Sequence, residues 1–577
     1  MAEPSPPDSS LTSAQPKTLA PVYCLPNEIL ALIIELYAHT SSYYSRSALY
    51  NLSWTKVLLV CRWWYQVGRV QRHLWSYIHI ERPFILPDSF VRRIRTQLEN
   101  SGLQPQLTVR FSLLGEPEIA LCQWLLNHHS SDVVSFDVSG PAETVHLLLS
   151  PLSPNPLTAL RCLKLGYYGA EGLALPDEFL RGALPCLKEL ALNRTPLTWN
   201  LLHGLERLKL HGCANSASVG APPNVGDILR LVQASPGLRA LDLVPQEGDT
   251  FHSDAATDVA YSKIPLPFLE FLHIQDVVSP ITLLLNHLTI PVRATLQLFP
   301  YRISVGLDIR AILIPLRKLI RSPRRNEFHA LVLSTGRSTT GTHFGCKMDL
   351  VETPSSPSYL RLSHRSIFDD GHPLNEAALT LHTHPRTERA LRQILTKFLH
   401  AARAELLTHL DTRYARGLGV PTWRALLRLL PALQSIGMEV TDRFSDPDNE
   451  PEWRESQLRS VVSLLEALRD SSASSSVRLL RLTIQRWIGP PYGKEAPPSD
   501  EEAAWLAPFL AALEAFVRQR RSDFDSDPAS ARSLDIVIVD ERGFLDAVTN
   551  SSVLERIAGC MEGMGSLERK RSEEKNP

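Results

Sequence analysis

The sequence predicts an α/β protein in which a small N-terminal bundle of three helices is followed by an irregular α/β solenoid. Two observations lead to this prediction. The frame L-x-x-L-x-x-L-x-L recurs five times in the first half of the chain, and strand-like and helix-like segments alternate again towards the C-terminus. A dense apolar and aromatic segment, Leu58–Ile80, precedes both regions and provides the core of a separate small unit.

Composition indicates a folded protein without a strong charge bias. The chain has 577 residues, of which 44% are hydrophobic, so it can bury one large core or several smaller ones. Lys and Arg number 60 against 61 Asp and Glu, so no global field attracts nucleic acid or an anionic membrane. The most basic run, Arg317–Arg325, contains a proline and is typical of a solvated loop. We therefore expect neither a nucleic-acid nor a membrane partner.

The cysteines and the N-terminal segment indicate the cellular compartment in which the protein is expected. The eight cysteines form no C-x-x-C pair, which indicates buried thiols in a reducing environment. The N-terminus lacks the pattern of a signal peptide, and the longest apolar stretches are too short to cross a bilayer. Residues 1–20 are rich in Pro and Ser, which predicts a disordered leader. We expect a cytoplasmic or nuclear protein.

The small N-terminal domain is expected over residues 21–80. Its first helix is predicted from Leu25 to His39, because Pro26 suits the first helical turn and apolar residues follow at helical spacing. A second helical segment is predicted from about Ser53, and a third short element ends in Leu74–Ile80. Three helices in sixty residues bury a meagre core. Part of the apolar surface therefore either awaits a partner or forms ordinary core.

Three blocks of this domain, LPNEIL, VCRWW and LWSYIHI, occur in an order that resembles the F-box of fungal, basidiomycete-type proteins. The resemblance covers about residues 21–80 and departs from the common pattern in a long connection between the first two helices. The matching residues are Leu25, Pro26, Glu28, Ile29, Leu30, Val60, Cys61, Arg62, Trp64, Leu74 and Trp75. In this family the bundle binds a Skp-type adaptor, which links it to a cullin-RING ubiquitin ligase. The resemblance implies an adaptor-binding set of Leu25, Pro26, Ile29, Leu30, Ile33, Val60, Cys61 and Trp64.

The leucine frame begins at Leu157 and ends at Ile274. Its five copies are LTALRCLKL, LPCLKELAL, LHGLERLKL, SPGLRALDL and LPFLEFLHI, and their last positions step by 27, 18, 33 and 31 residues. Each copy predicts a short strand with alternate leucines in a shared core, and Val225–Ala234 has the periodicity of a returning helix. The frame resembles that of the leucine-rich-repeat superfamily, although the usual turn asparagine is mostly missing. Leucine-rich strands of an ordinary α/β domain are the alternative.

The repeat-like region is expected to extend over residues 81–545. Towards its end, strands are predicted at 431–440, 476–484 and 533–540, with helices at 454–470 and 501–521 between them. Strands that alternate with helices favour parallel pairing. A polar insertion near 321–378 interrupts the pattern, either carrying function on loops or reflecting drift. Residues 546–577 are expected to form a C-terminal helix and a polar tail.

No motif predicts catalysis, a cofactor or a metal ion. The run HTHP, His382–Pro385, resembles two zinc ligands of JAMM metalloproteases, but Leu395 stands where their third ligand, an aspartate, is expected. Gly336 and Gly341 have the spacing of a phosphate-binding loop, yet Thr342 replaces its lysine. We expect structural histidines at the first place and a turn at the second.

These expectations combine into a functional hypothesis. The F-box resemblance implies a substrate-recognition subunit that binds a Skp-type adaptor, and through it a cullin, while the repeat region holds an unidentified protein target. No enzymatic activity and no cofactor are expected in the chain itself. A repeat scaffold whose N-terminal bundle never meets a ligase is the alternative, and a hydrolase built on the Gly-rich or His-containing region is the least supported.

Overall fold

A computed structural model provides the structure, which divides into two compact units, Met1–Glu189 and Leu190–Pro577. The described residues are 25–39, 52–80, 88–102, 105–112, 115–149, 157–168, 184–195, 202–213, 223–246, 249–252, 263–291, 294–300, 310–320, 330–337, 344–351, 377–383, 387–402, 404–415, 418–441, 450–469, 477–485, 500–527, 533–541 and 552–571. The predicted disordered leader lies outside them.

Helices and strands alternate along both units. The α-helices described are α1 Asn27–His39, α2 Arg62–Arg69, α3 Arg72–Trp75, α4 Asp88–Ser101, α5 Glu116–His129, α6 Ala142–Leu149, α7 Val225–Gln233, α8 Val278–His287, α9 Arg310–Ile320, α10 Glu388–Ala401, α11 Val420–Arg428, α12 Glu450–Arg469, α13 Asp500–Ser526 and α14 Ser552–Met561. Short 3-10 helices cover Ser53–Leu59 and Ala404–Leu406.

The strands described are β1 Tyr77–Ile80, β2 Leu107–Ser112, β3 Val133–Pro141, β4 Cys162–Tyr168, β5 Glu189–Asn193, β6 Arg207–His211, β7 Ala240–Val244, β8 Ile264–Pro265, β9 Phe271–Asp276, β10 Leu288–Thr289, β11 Thr295–Pro300, β12 Ala330–Arg337, β13 Phe344–Val351, β14 Ala377–Thr383, β15 His409–Tyr414, β16 Ser435–Thr441, β17 Leu479–Gln485, β18 Asp535–Glu541 and β19 Leu567–Arg571. Parallel pairing dominates, which confirms the predicted α/β class.

In the first unit, the N-terminal helices pack around a core of eight side chains. Helix α1 contributes one stripe, and the segments up to α3 contribute the rest. The buried members are Leu30, Ile34, Ala38, Trp54, Leu58, Val67, Leu74 and Trp75. Trp54 and Trp75 meet edge-on with ring centroids 5.0 Å apart, an arrangement that suits the quadrupoles of two aromatic rings.

The second predicted helix is divided in two. A 3-10 helix covers Ser53–Leu59, and α2 starts only at Arg62, because Cys61 has an extended backbone with φ −163° and ψ 170°. The prediction of one continuous segment from Ser53 was therefore wrong. The apolar residues of this segment lie too close together in sequence for one face of a single helix. Because the segment is divided, the 3-10 helix and α2 each orient their own apolar side chains.

The third predicted element is also more than a helix. The short α3 ends at Trp75, and the chain continues directly into β1, which pairs in parallel with β2 from Tyr77↔Thr108 to Ile80↔Phe111. Ile78 is buried in this strand and so belongs to the start of a sheet. Strands β2, β3 and β4 continue the sheet in parallel.

In the second unit, the strands pair in parallel in the order β6, β7, β9, β11. Register aligns Leu208 with Leu241, Leu241 with Leu272, and Leu272 with Leu296. All four leucines are buried, so they form one row of the core. The alternate leucines of the frame thus point inwards, as predicted. Side chains between them lie on the opposite, partly exposed face of the sheet.

The region predicted as a polar insertion contains a strand hairpin. Strand β12 pairs antiparallel with β13, and β13 pairs antiparallel with β14. Because β14 also pairs in parallel with β11, and β12 with β15, the hairpin is inserted within the row of strands and only β13 is reversed. Residues 352–376, most of the rest of the predicted insertion, lie outside the described residues.

The C-terminal part continues in parallel through β15, β16, β17, β18 and β19. The predicted strands and helices are present here, and α13 runs through Pro508 without ending. Strand β19 falls within the segment expected to be a polar tail, where its backbone pairs with β18. Among the residues the structure describes, no helix is both long and apolar enough to cross a bilayer.

Candidate functional site

The first helix of the bundle carries apolar side chains on more than one face. Successive residues of an α-helix are rotated by about 100°. Leu30, Ile34 and Ala38 therefore form one stripe, which is buried in the core. The outer face of α1 consists of the exposed apolar side chains outside this stripe, which are Ile29, Leu32, Ile33, Leu36 and Tyr37.

This outer face is costly to leave in water. Leu36 is 61% exposed, although burying a leucine completely is worth about 1.5 to 3 kcal/mol. A helix that is apolar all round is normally buried on all sides. Five neighbouring exposed apolar side chains on one helix form a candidate contact surface.

Two further exposed residues lie at the break between the 3-10 helix and α2. Leu59 is 84% and Val60 is 60% exposed, whereas the neighbouring Leu58 is buried. The extended backbone of Cys61 ends the first piece before a regular α-helix forms. The sequence thus presents two aliphatic side chains to solvent at a fixed turn.

Polar contacts hold α1 against the rest of the bundle. Nε1 of Trp63 donates a hydrogen bond of 2.7 Å to Oδ1 of Asn27 at the start of the helix. Near the end of the helix, Oε1 of Glu35 lies 3.7 Å from Nε2 of His73. Burial, with a smaller contribution from the Glu35 charge, raises the pKa of Tyr77 above its ordinary value, so its hydroxyl stays protonated. The Asn27 and Glu35 contacts thus join both ends of α1 to the rest of the bundle.

A basic cavity of about 740 Å³ lies in the same unit. The side chains that line the cavity include three arginines and one carboxylate. The lining residues are Arg62, Tyr65, Gln66, Arg69, Val70, Arg72, Glu99, Asn100 and Gly102. An excess of guanidinium groups favours acidic side chains of a bound partner.

The structure separates the eight residues of the predicted adaptor-binding set. Pro26, Ile29, Ile33 and Val60 are exposed, and Leu25, Cys61 and Trp64 are partly buried. Leu30 is 0% exposed and lies in the core, so its inclusion in a contact surface was wrong. The reason is helical geometry: a rotation of about 100° from Ile29 places Leu30 in the stripe with Ile34 and Ala38 that packs into the core.

Sequence reasoning missed four exposed apolar residues, namely Leu32, Leu36, Tyr37 and Leu59. For the three in α1 a signal was available, since every residue from Ile29 to Ala38 except Glu35 is hydrophobic and one helix stripe cannot accommodate them all. The exposure of Leu59 depends on the interruption between the 3-10 helix and α2 at Cys61. The spacing of apolar residues in the sequence does not reveal this interruption.

The HTHP run and the Gly-rich segment, neither of which was predicted to be a functional site, lie only partly within the described residues. His382 belongs to β14, whereas His384 and Pro385 lie outside the described residues. Gly336 belongs to β12, and the following Gly-rich turn also lies outside the described residues.

Comparison with known proteins gives no independent identification, because no protein-family model and no curated protein sequence matches the chain.

Proposed function

We propose that this protein is the substrate-recognition subunit of a Skp-cullin-F-box ubiquitin ligase. The observation that supports this most is the outer face of α1, because the helix that carries the F-box-like block LPNEIL exposes five apolar side chains away from its own core. The exposed Leu59 and Val60 beside the second F-box-like block extend the apolar surface available to a Skp-type adaptor.

The role follows from tethering. The adaptor holds the bundle on the cullin, and the rest of the chain holds the target, so target lysines meet a charged ubiquitin carrier at high effective concentration. The chain itself supplies no catalytic group in this proposal, and it needs no cofactor. Chemistry belongs to the other subunits of the ligase.

The target-binding part, in this proposal, is a leucine-rich-repeat-like solenoid. Its support is the parallel order of β6, β7, β9 and β11, with a row of buried leucines on one face. The opposite face carries polar and charged side chains that are only partly exposed. A regular array of such side chains on a rigid sheet suits recognition of a protein surface.

One observation favours a second function, that of a repeat scaffold with the bundle as its N-terminal cap. Strand β1 follows the bundle directly and pairs with β2, so the bundle is continuous with the sheet of its own unit. A cap that protects the first strand of a sheet needs no adaptor. This alternative leaves the outer face of α1 unexplained.

Co-purification separates the two functions. Full-length protein is co-expressed with a Skp-type adaptor and a cullin, and capture of both is measured. The double variant Leu32→Glu with Leu36→Glu should lose the adaptor and the cullin together. Leu147→Glu is the matched control, because Leu147 is 59% exposed on helix α6 of the same unit and should leave capture unchanged. Absence of adaptor from wild-type protein would leave the scaffold function.

A further inference from the structure

Three strands of the second unit place two histidines and an aspartate side by side. Asp242 of β7 stands opposite His273 of β9 and opposite Lys209 of β6 in the parallel register. His211 follows Lys209 by two residues and so points to the same face of the sheet. Adjacent strands are about 4.8 Å apart, which brings the three side chains within contact.

The contacts converge on one oxygen atom. Nδ1 of His273 lies 2.6 Å and Nε2 of His211 lies 2.9 Å from Oδ1 of Asp242. The other oxygen, Oδ2, lies 3.4 Å from Nζ of Lys209. One ligand atom from each of the two histidines and the aspartate lies within 4.8 Å of the others.

One nitrogen of the His273 ring has no hydrogen-bond partner among the described residues. That atom is Nε2, which is buried, whereas Nδ1 of the same ring faces Oδ1 of Asp242.

Aromatic side chains restrain the histidine. The ring of His273 meets the ring of Phe299 edge-on with centroids 4.9 Å apart, and the centroid of the Phe271 ring lies 6.5 Å away. Lys209 is about half exposed and contacts Oδ2, so it lies away from Oδ1, the oxygen that both histidines approach. Such supporting contacts orient ligands before a metal binds.

We propose that His211, Asp242 and His273 form a binding site for a divalent metal ion of the zinc class. Two imidazoles and one carboxylate are a ligand set that zinc accepts in proteins, with a fourth position left open. Zinc binds these atoms at about 2.0 to 2.2 Å, so ligands at tetrahedral angles lie about 3.3 Å apart. The two nitrogen–oxygen contacts, at 2.9 and 2.6 Å, would each lengthen by about 0.4 to 0.7 Å to reach that spacing. The site is independent of the proposed ligase function.

No metal ligands were predicted from the sequence, because the three residues are far apart in the chain. The three residues are 31 positions apart in each step, at 211, 242 and 273, and each stands alone in its own strand. Only the parallel register of β6, β7 and β9 brings them together. Short motifs such as HTHP are visible in a sequence, whereas a site assembled across strands is not.

Metal titration of the full-length protein tests the proposal. Protein stripped with a chelator is titrated with Zn²⁺, and with Co²⁺, whose visible absorption reports nitrogen and oxygen ligands. Wild type should bind one ion per chain, and its thermal midpoint should rise with added Zn²⁺. Asp242→Asn and His273→Ala should each weaken binding at least about a hundredfold, since loss of a ligand exceeds the 10-fold to 100-fold effect of a supporting residue.

Two control variants locate the ion. His129→Ala removes a histidine whose Nδ1 lies 3.2 Å from Asp132 but that has no place in the cluster, and it should leave affinity unchanged. The double variant His382→Ala with His384→Ala should also bind normally. If circular dichroism indicates that Asp242→Asn is unfolded, His211→Gln replaces it. No stoichiometric ion in wild type, equal affinity in the ligand variants, or loss only in the His382 and His384 variant would overturn the proposal.

Discussion

Nε1 of Trp63 donates a hydrogen bond of 2.7 Å to Oδ1 of Asn27, which joins the first residue of α1 to helix α2 across 36 positions of sequence. The bond fixes the entry of α1 into the bundle. In the resulting orientation Leu30 faces the core and Ile29 faces solvent. The outer face of α1 depends on this orientation.

Removal of that bond should loosen α1 without unfolding the protein. Asn27→Ala deletes the acceptor, and a hydrogen bond of this kind contributes about 1 kcal/mol. Hydrogen exchange measured by mass spectrometry should then be roughly fivefold faster in peptides from α1, since 1 kcal/mol corresponds to about a fivefold change in an equilibrium. Peptides from α10 in the same sample serve as the control. Unchanged exchange in α1 would contradict the role of this bond.

The row of buried leucines predicts a large difference between two neighbouring substitutions. Leu208→Asp places a carboxylate in the core beside Leu241, and the loss of leucine burial alone is about 1.5 to 3 kcal/mol. Glu206→Ala changes a partly exposed side chain and should cost less than about 1 kcal/mol. Chemical denaturation followed by circular dichroism measures both. Equal destabilisation would exclude a shared leucine core.

Asp276 predicts a pH dependence of stability. Its side chain is fully buried, and burial raises its pKa from 3.8 to about 7, although backbone N–H groups of Phe251 and Val277 donate hydrogen bonds to it at 2.9 and 2.5 Å. Below about pH 4, Asp276 is protonated in both the folded and the unfolded protein. Between about pH 4 and 7 the unfolded chain releases this proton and the folded chain retains it, so stability falls as pH rises.

The slope from this residue is roughly 1.4 kcal/mol per pH unit at most. Asp276→Asn cannot ionise, so the difference in unfolding free energy between wild type and variant should shift in favour of the variant from pH 4 to pH 7. The comparison uses slopes, because the amide also alters the hydrogen bonds. Parallel pH profiles of the two proteins would show that Asp276 ionises normally in the folded state.

A carboxylate between two helices predicts a local effect on stability. Oε1 of Glu388, at the start of α10, accepts hydrogen bonds from the hydroxyl of Thr422 at 2.6 Å and from the backbone N–H of Gly419 at 2.9 Å. Glu388→Ala leaves both donors without this acceptor and should cost about 2 kcal/mol. Glu388→Gln keeps an acceptor oxygen and should cost less. Thermal unfolding of the three proteins checks this order.

Local patterns predicted much of the fold. The leucine frame located β6, β7 and β9, because alternate burial in a strand requires a period of two that the letters display directly. The returning helix at Val225 was also predicted, and Asn224 caps it by accepting the N–H of Gly226 at 2.9 Å. These features depend on residues close in sequence.

Features that depend on distant residues could not be predicted. The break at Cys61 has no signal in the spacing of apolar residues, and the burial of Leu30 follows from which face of α1 meets the core. Pairing of β19 with β18 was hidden by the charged composition of its residues, since backbone hydrogen bonds do not require apolar side chains. Such outcomes are decided by tertiary packing.

Calorimetry with purified adaptor is the most direct test of our proposal that the outer face of α1 binds a Skp-type adaptor. Full-length wild type should bind, and Leu32→Glu with Leu36→Glu should lose at least about 2 kcal/mol, roughly thirtyfold in Kd, because apolar anchors dominate such interfaces. The exposed control Leu147→Glu should match wild type. Wild type without measurable binding, or a double variant with unchanged Kd, would contradict the proposal.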